Sequence, residues 1–270
     1  MPNCKNKVCV LIPHYNDAGG LIASLKSIDH TEDVDLLVVD DGSSSPPNLS
    51  DLRDCFKANG KIKLIIKDRN EGIEHALNEG LKWIVLNKYE FVGRLDSGDL
   101  CIKDRFNKQV LFLENNSNIS LVGGFAEYVN EKGNHLYFHK PPSDHFTITK
   151  KMYYNTMFIH PTVMFRTNIV SRVGYYPTDY PYAEDYAYFF RILKSYKTAN
   201  LEEILIKYKV SDNSISSQKR RIQVKSRIRV ILANFFLGWH PIVGLIRNTF
   251  LLFLSRDVTT FLKKILLRSI

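Results

Sequence analysis

Val8-Cys9-Val10-Leu11-Ile12 is an unbroken apolar run that stops at Pro13, and similar punctuation returns three times further along the chain. Leu36-Leu37-Val38-Val39 stops at Asp40-Asp41-Gly42, residues 62–66 stop at Lys67-Asp68-Arg69-Asn70, and residues 91–95 stop at Asp96. Short apolar runs of this kind suit strands buried on both faces of a parallel sheet. Helical stretches lie between them. Residues 20–28 put Leu21, Leu25 and Ile28 on one face; residues 73–86 do the same with Ile73, Leu77, Leu81, Ile84 and Val85. The alternation predicts an α/β fold with right-handed crossovers around a mostly parallel sheet. Ligands in such sheets bind beyond the carboxyl ends of the strands. Pro13-His14-Tyr15-Asn16, Asp40-Asp41-Gly42-Ser43, Arg69-Asn70-Glu71-Gly72 and Asp96-Ser97-Gly98-Asp99 would then line one edge.

Beyond residue 100 the pattern changes. Residues 103–113 and 184–195 predict helices, 121–129 and 163–165 predict strands, and 211–217 form a polar linker. This half is expected to extend the sheet and build an acceptor side. The domain expectation is residues 1–217, with a nucleotide-binding half to about residue 100, followed by a basic helical tail over 218–270.

The formal charge of +9 belongs to that tail. Residues 218–270 hold eleven Lys and Arg against Asp257 alone, and the rest of the chain is close to neutral. A nucleic-acid binder spreads its charge over the folded domain that grips phosphate, so a nucleic-acid partner is not expected. Arginine mixed with Phe, Leu, Ile and Trp suits an anionic membrane surface better. The expectation is two helices, broken at Trp239-His240-Pro241, lying in a membrane interface. A spanning helix and helices packed on the protein's own core are the alternatives. Cys4, Cys9, Cys55 and Cys101 have no C-x-x-C spacing, which argues against a disulfide framework or structural zinc. The polar start, residues 1–7, carries no apolar signal stretch and points to the cytoplasm.

Four sets of residues carry chemistry. Asp96 and Asp99, on a turn after a buried strand, offer hard oxygen ligands to Mg2+ or Mn2+; an ordinary Asx turn reads equally well. Asp40 and Asp41 can accept a hydrogen bond from a pyrimidine imide, with Tyr15 flanking the base, or cap a helix. Glu184 and Asp185 open a helix, where the dipole stabilises acids by about 0.3–1 kcal/mol; one of them can also deprotonate an acceptor hydroxyl. His160, before Pro161, is placed as site lining, whereas His14 is read as free to vary. The chain has no G-x-S-x-G, Walker A or G-x-G-x-x-G sequence at the expected places.

In this order, over about residues 8–208, these segments resemble the family 2 inverting glycosyltransferases of the GT-A fold. Val10-Leu11-Ile12-Pro13-His14-Tyr15-Asn16 looks like the opening strand and turn, and Val38-Val39-Asp40-Asp41-Gly42-Ser43-Ser44 like the base-contacting segment. Arg69-Asn70-Glu71-Gly72 with Ala76, Asn78 and Gly80 looks like the next helix start, and Arg94-Leu95-Asp96-Ser97-Gly98-Asp99 like the metal-binding segment. Asp104-Arg105-Phe106, His160-Pro161-Thr162 and Ala183-Glu184-Asp185-Tyr186 resemble later segments. The resemblance implies a GT-A type, Rossmann-like sheet and a divalent cation, Mn2+ or Mg2+, at Asp96 and Asp99. It implies donor contacts from Pro13, Tyr15, Asn16, Asp40, Asp41, Arg69, Gly72, Asn78, Arg94 and Asp96, and Asp185, beside Glu184, as catalytic base. One departure stands out: the family commonly carries a carboxylate where this chain has Gly98. The implied reaction transfers a sugar, with inversion, from a UDP- or dTDP-sugar to a lipid-linked glycan in bacterial surface-polysaccharide synthesis. The tail would hold the enzyme at the cytoplasmic face of the inner membrane. A sugar-1-phosphate nucleotidyltransferase would need a Gly-rich basic loop after the first strand, and Gly19-Gly20 with Lys26 matches it poorly. A non-catalytic, membrane-associated nucleotide-sugar binder is the third reading.

Overall fold

A computed structural model of the protein describes residues 6–210 and 219–253. Strands β1 (Val8–His14), β2 (Val34–Asp40), β3 (Ile62–Ile66) and β4 (Phe91–Arg94) run parallel in the order β3-β2-β1-β4. Every residue of β1 and β2 is buried. Strand β3 lies at the sheet's edge and leaves Ile66 exposed, so it is covered less completely than its sequence suggests.

Helices α1 (Ala18–Ser27), α2 (Leu49–Cys55) and α3 (Ile73–Leu86) fill the crossovers. Asp17 caps α1 by accepting from the Gly20 N–H, and Asn48 caps α2 by accepting from Ser50. Side chains alternate across β1 and divide two cores. Cys9 and Leu11 join Leu77, Leu81 and Ile84 of α3; Val8, Val10 and Ile12 join Leu21 and Leu25 of α1. Each such side chain, fully buried, contributes about 1.5–3 kcal/mol.

The second half follows with β5 (Leu100–Cys101), α4 (Arg105–Asn115), β6 (Ile119–Val129), β7 (His135–His139) and α5 (His145–Lys151). Then come β8 (Met164–Arg166), α6 (Val170–Val173), α7 (Glu184–Leu193) and β9 (Lys197–Lys209). Here the mostly parallel expectation is corrected. The sheet continues β4-β8-β6-β9-β5, with β8 antiparallel to both neighbours, β5 antiparallel to β9 and β7 antiparallel to β6; only β6 and β9 run parallel. The pairing of β6 with β9 shifts register on either side of Phe125, which bends and twists the ladder.

Helices α8 (Arg220–Ala233) and α9 (Trp239–Phe253) close the described chain. The break falls at residues 234–238, upstream of the expected Trp239-His240-Pro241. Pro241 sits in the first turn of α9, where its missing N–H costs no helical bond. Both helices pack on the domain: Val224, Val230 and Ile231 are buried, and the Tyr153 hydroxyl donates to the Asn234 carbonyl at 2.8 Å. The alternative of helices packed on the protein's own core thus holds for one face of each. Among the described residues no helix is long and apolar enough to cross a membrane. The 211–217 linker and the basic residues after 253 lie outside the described residues.

Candidate active site

The parallel order of β3-β2-β1-β4 puts the four polar strand ends side by side, and hydrogen bonds join them. Asn16 connects the first loop to the second: its N–H donates to Ser43 Oγ at 2.8 Å and its Oδ1 accepts from the Ser44 N–H at 3.0 Å. Asp41 connects the second loop to the third, accepting from the Gly72 N–H (2.9 Å), the Glu71 N–H (3.2 Å) and Lys67 Nζ (2.5 Å). The fourth loop joins the first through the Ser97 hydroxyl to Asp17 Oδ2 (3.1 Å) and the Gly98 N–H to Ser24 Oγ (2.9 Å).

This network engages several of the residues expected to contact a donor. Asp40 has no exposed surface; Ser43 donates to it through its N–H (2.9 Å) and hydroxyl (2.6 Å), and His14 Nδ1 lies 2.7 Å away. Burial pushes the Asp40 pKa up, but the Ser43 and His14 hydrogen bonds outweigh it and hold the carboxyl below its ordinary value. Asp41 is buried too, with three donors. Both carboxylates are thus turned to donors of the protein itself. His14, expected to be unconstrained, is buried and bonded at both ring nitrogens: the Asp17 N–H donates to its Nε2 at 3.2 Å, so Nδ1 carries the proton that bonds Asp40. Asn78 is also engaged within the protein, its amide bonding both the N–H and the carbonyl of Tyr176 at 2.8 Å. Pro13 is buried in β1. Tyr15 stands half exposed at the rim, Asn16 takes a left-handed backbone with φ 49°, and Arg69 is exposed beside Glu71. Gly72, at φ 106°, supplies the N-cap position of α3.

Arg94 changes role. Its side chain is fully buried, donating from Nη1 to the Leu11 carbonyl and from Nη2 to Asp96 Oδ1, both at 2.5 Å. It aims Asp96 from beneath and offers no open face to a donor. His160 joins the same support, with Nε2 at 3.4 Å from Arg94 Nε and 3.0 Å from the Tyr176 hydroxyl. Burial and then the Arg94 charge push the His160 pKa well below its ordinary value, which keeps the ring a neutral acceptor. Ser24, Arg105 and Gln109 were not legible as supports. Arg105 is buried and donates to the carbonyls of Arg94 and Pro161 at 2.6 Å, and Gln109 donates to the Thr162 carbonyl at 2.8 Å. Only the helical position of these residues hinted at a buried role.

The turn after β4 explains Gly98. It has φ 95°, a conformation that strains any L side chain, so a carboxylate there would need a different turn. Asp99 is buried; its Oδ1 accepts from the Lys209 N–H at 2.9 Å and its Oδ2 has no partner among the described residues. Burial, then the Asp96 charge, raise its pKa well above the ordinary carboxylate value. Asp96 is the accessible carboxylate, with 30% of its side chain exposed. No group of three or more His, Cys, Asp or Glu among the described residues is arranged to hold a metal. The arrangement fits a hard cation held by Asp96 and otherwise by phosphate oxygens and water.

On the other side of the sheet edge, α7 opens with Glu184 and Asp185. Glu184 is buried, its Oε2 is without a partner among the described residues, and burial followed by the Asp185 charge pushes its pKa up to about 8. Asp185 is half buried and accepts from the Tyr186 N–H at 2.6 Å; burial raises its pKa also, and Arg227 of α8 opposes the rise. The support of Asp96 reaches α7 directly: the His160 ring lies 5.8 Å from that of Phe189, and Tyr176 stacks on Tyr188 at 4.2 Å. Helix α8 buttresses the preceding turn, with Gln223 donating to the Tyr182 carbonyl at 2.9 Å.

Comparison with known proteins agrees with this geometry. The sequence profile described as Glycosyl transferase family 2 matches residues 9–174. A Haemophilus influenzae protein named as an uncharacterized glycosyltransferase is 30% identical over 235 residues, covering 85% of this chain and 84% of the relative. The amylovoran biosynthesis glycosyltransferase AmsE of Erwinia amylovora is 29% identical, covering 73% of this chain and 71% of AmsE. The O-antigen biosynthesis glycosyltransferase WbnJ of Escherichia coli is 28% identical, covering 60% and 66%. Among solved structures, the Pyrobaculum calidifontis mannosyltransferase PcManGT, in complex with GDP-Man and Mn2+, superposes with a TM-score of 0.63. That match has 18% identity and covers 92% of this chain and 70% of PcManGT. The shared fold is the GT-A type with a mixed, curled sheet.

Proposed function

The chain belongs to glycosyl transferase family 2 and is a glycosyltransferase related to polysaccharide biosynthesis enzymes; from that premise we propose how it works and on what. The donor is a nucleoside diphosphate sugar and the acceptor a hydroxyl of a lipid-linked glycan, with inversion at the anomeric carbon. One observation carries this reading: Asp96 stands partly exposed at the sheet edge, and the Arg94–His160–Tyr176 chain that holds it packs on Phe189 and Tyr188 of α7, the helix that opens with Glu184-Asp185.

Asp96 would hold a divalent cation, which supplies charge neutralisation at the departing diphosphate when bound. The Mn2+ in PcManGT supports a cation in general. Arg94 and His160 fix the direction of the Asp96 carboxylate. Glu184, the more buried of the two acids, is the one suited to hold a proton at neutral pH. Glu184 keeps it, with a pKa of about 8. Asp185 is then the charged partner, and takes the proton of the acceptor hydroxyl as that oxygen bonds the anomeric carbon and the diphosphate leaves. Tyr15, at the rim, is suited to flank the base. UDP and dTDP donors are the first to try; the GDP-Man of PcManGT adds GDP donors to the panel.

The test incubates purified full-length protein with UDP-, dTDP- and GDP-sugars, Mn2+ or Mg2+, and lipid-linked or free glycan acceptors. Release of nucleoside diphosphate together with an extended, inverted acceptor is expected. Pyrophosphate release from a nucleoside triphosphate and a sugar 1-phosphate would replace this reading with nucleotidyl transfer, and tight donor binding without turnover on any acceptor would count against catalysis.

A further inference from the structure

Helix α9 packs the opposite way from a helix designed for water. Its buried positions are Pro241, Gly244 and Asn248, a stripe of small and polar residues. Gly244 lies so close to the Tyr153 carbonyl that an added Cβ would sit 2.3 Å from its oxygen. Asn248 is buried, its Nδ2 donating to the Gly244 carbonyl at 2.8 Å and its Oδ1 without a partner among the described residues. The outward face carries Trp239, Ile242, Ile246, Phe250 and Phe253, recurring every three or four residues. Phe250 is 61% exposed and Phe253 81%. In the preceding turn Phe235, Phe236 and Leu237 are exposed as well. A helix facing water buries its large apolar side chains and shows its amides to solvent. A continuous exposed apolar face marks an interaction surface.

Charge identifies the occupant. Arg221, Lys225 and Arg229 are exposed at every fourth position along α8, and eleven Lys and Arg face one acid across residues 218–270. A second copy would bring the same positive charge to the contact. An anionic bilayer satisfies both the apolar face and the cations, and Trp239 has the amphipathic ring favoured at the headgroup level. Among the described residues no helix is long and apolar enough to span, and the split of α9 into an inward small and polar stripe and an outward apolar face suits a helix lying in the plane of the interface.

We propose that the outward face of α9, with the 235–237 turn, docks in the headgroup region of a bilayer containing anionic lipid. This surface is argued independently of the transfer reaction. It has a consequence for it, because α8 touches the turn that leads into Glu184 and Asp185 of α7: docking would bring α7 near the surface where a lipid-linked acceptor sits.

The test sediments the full chain with vesicles of phosphatidylcholine alone and of phosphatidylcholine mixed with phosphatidylglycerol. Binding to the mixed vesicles and little to the neutral ones is expected. The variant Ile246→Gln/Phe250→Gln keeps helix-forming residues and should lower partitioning at least about tenfold, with an unchanged Tm. Arg221→Gln should lower it by up to about fivefold. Equal binding to both vesicle types, or undiminished binding of the double variant, would overturn the proposal. So would a dimer in vesicle-free solution that the double variant dissociates, which would assign the face to a second copy. A fall in Tm for the double variant would also overturn it, since the face would then be covered within the chain.

Discussion

Two pairs of neighbouring acids, Asp40-Asp41 and Glu184-Asp185, look alike in the sequence and are opposite in the structure. The first pair is saturated: six donors, Lys67 among them, surround its oxygens, and the Asp40 carboxyl is held below its ordinary value. The second is starved: Glu184 Oε2 has no partner among the described residues, and burial raises both carboxyls. Saturated acids stitch loops together and gain nothing by meeting a substrate. Starved acids store the desolvation cost of a charge that a proton relieves, and that is the condition of a group able to exchange one.

Removing a member of the saturated pair should have the largest effect. Asp40→Ala leaves His14 and Ser43 buried without their acceptor and is expected to cost about 3–5 kcal/mol, read as a lowered urea midpoint at unchanged slope. An intact midpoint would erase the contrast between the pairs. The starved pair should respond with the other sign. With its pKa at about 8 in the folded chain and near 4.5 when unfolded, Glu184 costs nothing below pH 4.5, costs progressively more as pH rises to 8, and the full amount above. Glu184→Gln should therefore match wild type at pH 4 and exceed its stability by about 5 kcal/mol at pH 9. A gain that does not grow with pH would show that Glu184 is ordinarily solvated.

Smaller effects separate the site from its supports. Asp96→Asn keeps an acceptor for Arg94, so the fold should hold while kcat/KM falls about a hundredfold and added Mn2+ no longer matters. Retained metal dependence would move the cation elsewhere. Gly98→Ala puts a side chain at φ 95° and should cost about 1 kcal/mol, measured by thermal unfolding.

The first four strands, α3 and the convergence of their polar ends were legible because β1 and β2 are buried on both faces and read as apolar runs. Strands β7 and β9 were not: His135, Glu202, Glu203 and Lys207 interrupt any apolar pattern, since these strands are partly exposed and their pairing is decided by partners far along the chain. The reversal of α9 was also hidden. Its sequence shows an apolar helix, and only packing reveals that Gly244 and Asn248 face inward. In the site, Asp96, Glu184 and Asp185 could be singled out by residue type and position. Whether an acid is fed by donors depends on backbone N–H groups of other loops, such as those of Glu71 and Gly72 for Asp41, and no local pattern records them.

The most direct measurement compares Asp185→Asn with wild type in a single-turnover transfer assay, alongside donor binding by calorimetry. Asparagine retains the acceptor for the Tyr186 N–H, so the account predicts a Tm no lower than wild type's and unchanged donor affinity, with transfer slowed about 10²–10⁴-fold. Transfer at the wild-type rate would contradict it and remove Asp185 as the base.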